Sequence, residues 1–344
     1  MSEVRIGING FGRIGSQVAR VIATRRRNMD GIKPRIVAIN DPFLDVDYMV
    51  YLVQHDTVFH SYDGKVSTKD GKLIIDDMVI DIHSVRDPKQ IPWKESNVDV
   101  VVESTGVFVT SEACQAHLDA GAKKVIISAP AKDKETPMFV MGVNHKTMTK
   151  DMKIISNASC TTNCLAPLAK VINDNFKIIE GLMTTIHSVT NSQKICDSCN
   201  TKDYRQGRSG MQNIIPTTTG AARAVGVVIP ELNGKLTGMA FRVPTLDGSV
   251  VDLTCRLEKA TTMDEINQKM KEAAEGELKG ILKWTDDKLV SADIMGEMHT
   301  SVFDSTACIA LNEHFFKLVS WYDNEYGYSN KLVDLLLYMF SLDL

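Results

Sequence analysis

The spacing of apolar residues changes character near residue 159. Before that point, short apolar runs alternate with amphipathic helical stretches. Residues 4–9 and 35–41 form two β-rich runs, and a helical pattern runs from Arg13 toward Thr24 between them. Strand, helix and strand at this distance predict a βαβ unit. Runs at 98–102 and 125–127, with a helical pattern over 111–120 between them, repeat the theme, and 139–143 and 152–155 continue it. Residues 58–82 differ. There Asp63-Gly64 and Asp70-Gly71 separate alternating stretches, which predicts small antiparallel hairpins as an excursion from the parallel sheet.

Beyond residue 159 the strand candidates are longer and some alternate: 182–187, 236–243, 250–257 and 315–322. Thr262-Met-Asp-Glu265 is a capping box that predicts a helix toward residue 278. Long strands with segregated helices predict an α+β domain around a large, mostly antiparallel sheet. Residues 329–340 are helical with a wide apolar face, which must dock on something.

A length of 344 residues suits about two domains. With 44% hydrophobic and 24% charged residues, the chain has an ordinary globular composition. A net charge of −4 argues against a dedicated nucleic-acid binder. No apolar run reaches membrane-spanning length, so no membrane partner is expected. The first residues lack an apolar signal core, so the chain is expected in the cytoplasm. Arg25-Arg26-Arg27 reads as a solvated helix end rather than a binding patch.

Two motifs carry chemistry. The first is Gly7-Ile-Asn-Gly10-Phe-Gly12-Arg-Ile-Gly15, between a strand and a helix. Gly10 permits the tight turn, Gly12 lets the backbone approach a pyrophosphate, and Gly15 lets helix and strand pack closely. Asp41 ends the second strand, where a carboxylate accepts bonds from ribose hydroxyls and repels a 2′-phosphate. The first part of the chain is therefore expected to be a Rossmann-type, doubly wound, mostly parallel sheet that takes NAD.

The second motif is Ser156-Asn-Ala-Ser159-Cys160-Thr161-Thr162-Asn163-Cys164. It follows a strand and precedes a helical pattern, which puts Cys160 near a helix N-terminus, where a thiolate is stabilised. Position alone leaves Cys160 readable as a nucleophile or as a buried thiol. Pro167 conflicts with a long regular helix unless it falls early or at a kink. Cys164 is expected to pack inward. Of eight histidines, His187 stands best placed as a base, at the end of a strand.

Seven cysteines cannot all pair internally. Cys196-Asp-Ser-Cys199 invites a metal or redox reading, but no second such pair exists to complete a zinc site, so no metal is expected. Redox sensitivity of this pair stays open.

Together these residues resemble phosphorylating glyceraldehyde-3-phosphate dehydrogenases over nearly the whole chain. The segments that carry the resemblance are 7–15, 38–43, 103–108, 125–130, 156–164, 212–216, 230–245 and 321–329. The resemblance implies that Cys160 attacks an aldehyde to form a thiohemiacetal and that His187 is its base. Oxidation by NAD leaves a thioester, which inorganic phosphate attacks. It implies that Thr190 and Arg242 hold the substrate phosphate of glyceraldehyde 3-phosphate. Ser159, Thr161, Thr219 and Gly220 would line the site of the attacking phosphate, with Arg205 as added positive charge. For NAD it implies Asn9, Gly10, Arg13, Ile14, Asp41, Arg86, Thr105, Ser128 and Asn324. Gly12 joins this set from the glycine motif. It further implies a homotetramer, with the 189–210 loop reaching a neighbour. The NAD-binding domain would comprise 1–158 and 325–344, closed by the C-terminal helix, and the catalytic domain 159–324.

The chain departs from the family pattern at Val189, at Ser198-Cys199-Asn200, and in an apolar tail. Residues 25–34 are expected to form a longer surface loop. Two other readings are a sister aldehyde dehydrogenase and a redox-signalling protein that uses Cys196 and Cys199.

Overall fold

Apolar runs build two sheets, each in its own unit. The first unit runs to Phe139, adds His145–Ala158 and takes up the chain again from Ser329; the second comprises Val140–Asn144 and Ser159–Tyr328. The computed structural model describes residues 3–201 and 203–343.

The first unit contains β1 (Glu3–Asn9), β2 (Lys33–Asn40), β3 (Val66–Lys69), β4 (Lys72–Ile75), β5 (Met78–His83), β6 (Val100–Glu103), β7 (Lys124–Ile127) and β8 (Ile154–Ser156). Their order is β3-β4-β5-β2-β1-β6-β7-β8. Neighbours from β5 through to β8 run parallel, while β3 and β4 attach antiparallel. The central strands are buried on both faces: Ile6, Ile8, Ile36, Val100 and Val102 are inaccessible, as a sheet covered on both sides requires. Its helices include α1 (Arg13–Asn28), α2 (Val46–Gln54) and α3 (Ser111–Asp119).

Three local readings change. Residues 139–143 form turns instead of a strand, and only Met138 bridges to Ser156. Gly142 adopts φ +80, and the Asn144 side chain accepts the Val140 N–H at 2.8 Å, which closes a turn. The 58–82 excursion rejoins the sheet, because β5 lies parallel beside β2. Asp70 and Gly71 adopt the paired positive φ of a two-residue hairpin turn, but Asp63-Gly64 does not. Finally, 25–34 is not one long loop. Helix α1 continues to Asn28, and its arginines are fasteners. Arg25 bonds Asp334 at 2.7 Å, Arg26 meets Glu3 and Asp77, and Arg27 meets Asp76 at 2.9 Å.

The second unit contains β9 (Ile178–Ser188), β10 (Ile215–Thr218), β11 (Leu236–Val243), β12 (Ser249–Leu257), β13 (Leu282–Thr285), β14 (Ser301–Asp304), β15 (Ile309–Asn312) and β16 (Phe315–Tyr322). The order is β10-β11-β9-β12-β16-β14-β13, with β15 beside β16. Pairs β11–β9 and β13–β14 are parallel and the rest antiparallel. Alternation along β12 and β16 buries Val251, Leu253, Cys255, Phe316 and Leu318 on one face. That face is covered by helices including α4 (Cys160–Phe176), with α5 (Ala221–Val228) and α6 (Met263–Glu275) beside it. Helix α4 runs through Pro167 without a break. Nearly every residue of that helix is buried, and this packing outweighs the local cost of the missing N–H.

The last helix, α7 (Tyr326–Ser341), passes into the first unit from Ser329. Leu332, Val333, Leu335, Leu336 and Met339 are fully buried. Lys124 Nζ donates to the Met339 carbonyl at 3.2 Å, and Arg25 holds Asp334. No helix among the described residues is long and apolar enough to cross a membrane.

Candidate active site

In the first unit, the glycine motif joins β1 to α1. Gly10 has φ +89, and a Cβ there would stand 2.8 Å from the Thr105 nitrogen. A Cβ on Gly15 would meet the Gly10 carbonyl at 2.1 Å, so close helix–strand packing excludes any side chain. A Cβ on Gly12 would meet nothing within 4 Å. Gly12 is the N-cap of α1 and supplies no side-chain cap, so the helix presents its leading N–H groups outward. Asp41 accepts the Phe11 N–H on one oxygen and the Phe43 N–H on the other, both at 2.9 Å. Each oxygen keeps a lone pair for a ribose hydroxyl. Open space at Gly12, uncapped N–H donors and an anchored carboxylate fit a dinucleotide.

A buried polar chain holds this loop. Glu103 accepts Asn9 Nδ2 at 2.6 Å, His117 Nε2 at 3.0 Å, and both the N–H and hydroxyl of Thr105. Trp93 Nε1 donates to His117 Nδ1 at 3.1 Å. Indole nitrogen only donates, so His117 carries its proton on Nε2 and gives it to Glu103. Asn40 Nδ2 then donates to Asn9 Oδ1 at 2.8 Å. Ser128 N–H meets the Glu103 carbonyl at 2.9 Å. Ile14 is half-buried in α1's first turn. Arg13 is paired with Asp56, and Arg86 is exposed with its guanidinium over the Phe43 ring.

In the second unit, Cys160 is the first residue of α4. Ser159 caps the helix by accepting the Thr162 N–H at 3.0 Å. Ala158, just before the cap, holds φ +54, a left-handed turn that swings the chain from β8 into α4. Cys160 Sγ lies 3.5 Å from His187 Nε2 at the end of β9. His187 Nδ1 lies 2.7 Å from the Ser188 carbonyl and beside the Arg242 guanidinium, which leaves Nε2 as the ring nitrogen that faces the thiol. Arg242, on β11, lies against the same ring and donates to the Ser188 carbonyl at 3.1 Å. The β11–β9 register pairs Arg242 with His187 directly. Burial and the Arg242 charge hold the imidazole down to about 3, so it is neutral and, in this state, a weakened base. Burial pushes the Cys160 thiol up, and Arg242 pulls it back part of the way.

Thr161 Oγ1 lies 2.8 Å from Tyr322 Oη, and Thr185 Oγ1 lies at the same distance. Tyr322 also meets the His187 ring edge-on at 5.9 Å. This tyrosine is fully buried, and neither spacing nor motif singled it out; only the pairing of β12 with β16 and β9 shows it. Ser188 and Ser249 were missed for the same reason. Ser188 N–H donates to Ser249 Oγ, which donates to Asn324 Oδ1 at 2.6 Å.

Thr190 is half-buried and hydrogen-bonded to Ser192 and Gln193. Gly220 caps α5 without a side chain, and Thr219 Oγ1 accepts the Ala221 N–H at 3.2 Å. Arg205 is exposed and lines a cavity with Tyr204, Gln206, Thr217, Thr218 and Met239; Cys160, His187 and Arg242 do not line that cavity. Cys164 packs inward as expected, and burial pushes its thiol up to about 12. Cys196 and Cys199 are exposed.

Comparison with known proteins agrees with both halves. Residues 4–111 match the glyceraldehyde 3-phosphate dehydrogenase NAD binding domain, and residues 159–324 match the C-terminal domain of the same family. The chain is 58% identical to glyceraldehyde-3-phosphate dehydrogenase 2 of Mucor circinelloides f. lusitanicus, with 98% of each chain covered. It is 57% identical to glyceraldehyde-3-phosphate dehydrogenase of Danio rerio, over 98% of this chain and 99% of the relative. It is also 57% identical to glyceraldehyde-3-phosphate dehydrogenase 3 of Saccharomyces cerevisiae, over 97% and 98%. With both family domains matched in order and relatives aligned end to end, the chain belongs to the glyceraldehyde 3-phosphate dehydrogenase family.

Proposed function

We propose that this chain oxidises glyceraldehyde 3-phosphate to 1,3-bisphosphoglycerate with NAD and inorganic phosphate. The observation that supports it most is the Cys160 thiol at the start of α4, 3.5 Å from His187 Nε2. His187 accepts the thiol proton as Cys160 Sγ attacks the aldehyde carbon and passes it to the alkoxide that forms, giving a thiohemiacetal and a neutral imidazole. The same imidazole then takes the hydroxyl proton of that adduct as its carbon–hydrogen bond breaks. NAD, when bound, would supply the hydride acceptor, which would leave a thioester on Cys160. Inorganic phosphate attacks the thioester carbonyl and releases the acyl phosphate, returning the thiolate. A thioester retains the oxidation energy that direct hydrolysis would dissipate.

Two anions need two sites. Arg242 and Thr190 hold the substrate phosphate, while Ser159, Thr161, Thr219 and Gly220 line the place of the attacking phosphate, with Arg205 as outer positive charge. Substrate phosphate also compensates the Arg242 charge, which makes His187 easier to protonate at the moment it must act as a base. Asn9, Gly10, Gly12, Arg13, Ile14, Asp41, Arg86, Thr105 and Ser128 hold NAD, and Asn324 holds the nicotinamide carboxamide. Residues 1–158 and 325–344 form the NAD-binding domain and 159–324 the catalytic domain.

The reading extends to a cytoplasmic homotetramer. Leu182, Tyr204, Ile214 and Met239 leave apolar surface exposed on the second unit, which suits contact with further copies. The test of function is NADH formation from glyceraldehyde 3-phosphate, followed with and without phosphate. A phosphate-dependent rise is expected, and its absence at every pH overturns the reading. Sedimentation tests the tetramer.

A further inference from the structure

Asp247 sits in the turn between β11 and β12 and is 2% exposed. Neither of its carboxyl oxygens receives a well-formed hydrogen bond from an N–H or a hydroxyl. The antiparallel pairing of Ser249 with Tyr322 sets Asp247 opposite another carboxyl group, Asp323, which is 1% exposed. Glu325, also buried, adds a second negative charge nearby. Asp323 and Glu325 both act on Asp247 as negative charges, and the Gly248 N–H gives it the smaller, opposing support. The three carboxyls do not form a metal-holding group. Two ionised carboxylates in contact and out of water repel strongly, so the pair keeps a proton.

The local donors say which carboxyl carries that proton. Asp323 Oδ2 accepts the Gly296 N–H at 2.7 Å, and Oδ1 accepts those of Glu325 at 2.8 Å and Tyr326 at 2.6 Å. Three N–H groups favour the ionised form of Asp323, whereas Asp247 has no comparable support. Burial pushes Asp247 up to about 9, with Asp323 and Glu325 adding to the shift.

The β12–β16 register pairs Ser249 with Tyr322, so the turn around Gly248 lies opposite residues 323 and 324. Two links tie these segments together. One is Ser249 Oγ to Asn324 Oδ1, and the other is the bond inferred from Asp247 to Asp323. The first orients the Asn324 amide, and the second fixes the backbone that carries it. We propose that Asp247 is a protonated acid that donates to Asp323 and so positions Asn324, the residue assigned to the nicotinamide carboxamide. This inference rests on that assignment of Asn324. Asp247 is a positioning residue and touches no reacting atom.

The folded chain keeps a proton that the unfolded chain releases near pH 4. Stability contributed here therefore falls as pH rises from about 4 to about 9. The experiment compares wild type with Asp247→Asn, which puts a permanent N–H donor where the proton sits, and with Asp247→Leu, which has none. Three readouts serve: the infrared carbonyl band of a protonated carboxylic acid without NAD, melting temperature from pH 6 to 9, and NAD affinity across the same range and above. The acid band is expected in wild type and absent in Asp247→Asn, whose melting temperature gains on wild type as pH rises. Above pH 9 wild type is expected to lose about tenfold in NAD affinity relative to Asp247→Asn, roughly what one hydrogen bond is worth. Asp247→Leu loses that affinity already at neutral pH. An unchanged acid band, or parallel melting curves, overturns the proton bridge. If the bridge is present but Asp247→Leu binds NAD like wild type while Asn324→Ala does not, the positioning role is overturned. If Asn324→Ala also binds like wild type, the assignment of Asn324 falls instead, and the positioning role falls with it.

Discussion

Both the 10–15 loop and the start of α4 put a helix N-terminus at the end of a buried strand, but they are finished differently. Helix α1 begins at Gly12 with no side-chain cap, while α4 begins at Ser159 with its hydroxyl bonded to Thr162 N–H. An uncapped terminus keeps its N–H donors for an anion that arrives from outside. A capped terminus has satisfied part of that demand, and the rest of its field falls on the chain's own Cys160 sulfur, the proposed nucleophile. Their surroundings differ as well. The loop is fixed by Glu103, which takes four donors and leaves none of them in conflict. The thiol sits between opposing influences, since burial raises it and Arg242 lowers it. Binding asks for donors held still, whereas chemistry asks for groups whose charge is poised to change.

The sharpest way to break this comparison is to remove the thiol. Cys160→Ser is expected to lower turnover by roughly 10⁴-fold or more, because the hydroxyl is a far weaker nucleophile at neutral pH. NAD affinity should stay near wild type, since the α1 terminus and Asp41 are untouched. Stopped-flow NADH absorbance and NAD titration check the two halves. Loss of both together would show that the two N-termini are not separate devices. His187→Asn comes next. Removing a positioned base is expected to cost about 10²–10⁴-fold in kcat. Alkylation of Cys160 by iodoacetamide should slow in the same variant.

How far each device could be read from the chain follows from the distance its parts span. The glycine loop is local: three glycines, a strand before and a helix after, with Asp41 one strand away. Its steric reasons are visible residue by residue, as at Gly15 against the Gly10 carbonyl. The thiol motif is half local. Cys160 at a helix start follows from Ser159–Thr162, but His187 reaches it only because β9 ends beside α4, and Arg242 reaches His187 only through the β11–β9 register. Tyr322 and Asp247 were not legible at all, because their partners are set by strand pairing. Two misreadings share one cause. Arg25–Arg27 looked solvated and Pro167 looked disruptive because local preference ignores what packs on the far side, here Asp334, Asp76 and Asp77 in one case and a buried helix surface in the other.

The loop side of the comparison is tested by Glu103→Leu. The leucine side chain branches one atom earlier and accepts nothing, so Asn9, His117 and Thr105 lose their common acceptor. At about 1–3 kcal/mol for each buried donor left unmet, a loss near 3 kcal/mol is expected after partial rearrangement. Urea unfolding measures it, and NAD titration should show weakened binding. Alkylation of Cys160 in the folded variant should stay at the wild-type rate. A change in thiol reactivity as large as the change in NAD affinity would mean that Glu103 serves both sites.

The smallest expected effect concerns the poise of the thiol site itself. His187 is held down to about 3 in the folded chain, whereas a histidine in the unfolded chain titrates near 6.5. Between these values the unfolded state binds a proton that the folded state does not, so stability rises with pH across the window. The contribution is fully present above pH 6.5 and is lost as pH falls toward 3. Over pH 6.5 to 5 it amounts to about 1.6 kcal/mol, at most about 1.4 kcal/mol per unit. His187→Asn removes the titrating group, so its unfolding free energy should fall less steeply with acid than wild type over that interval. The difference between the two curves cancels every other group that titrates there. If the curves run parallel, His187 is not a buried neutral base, and the contrast between a settled binding loop and a poised thiol site loses its electrostatic half.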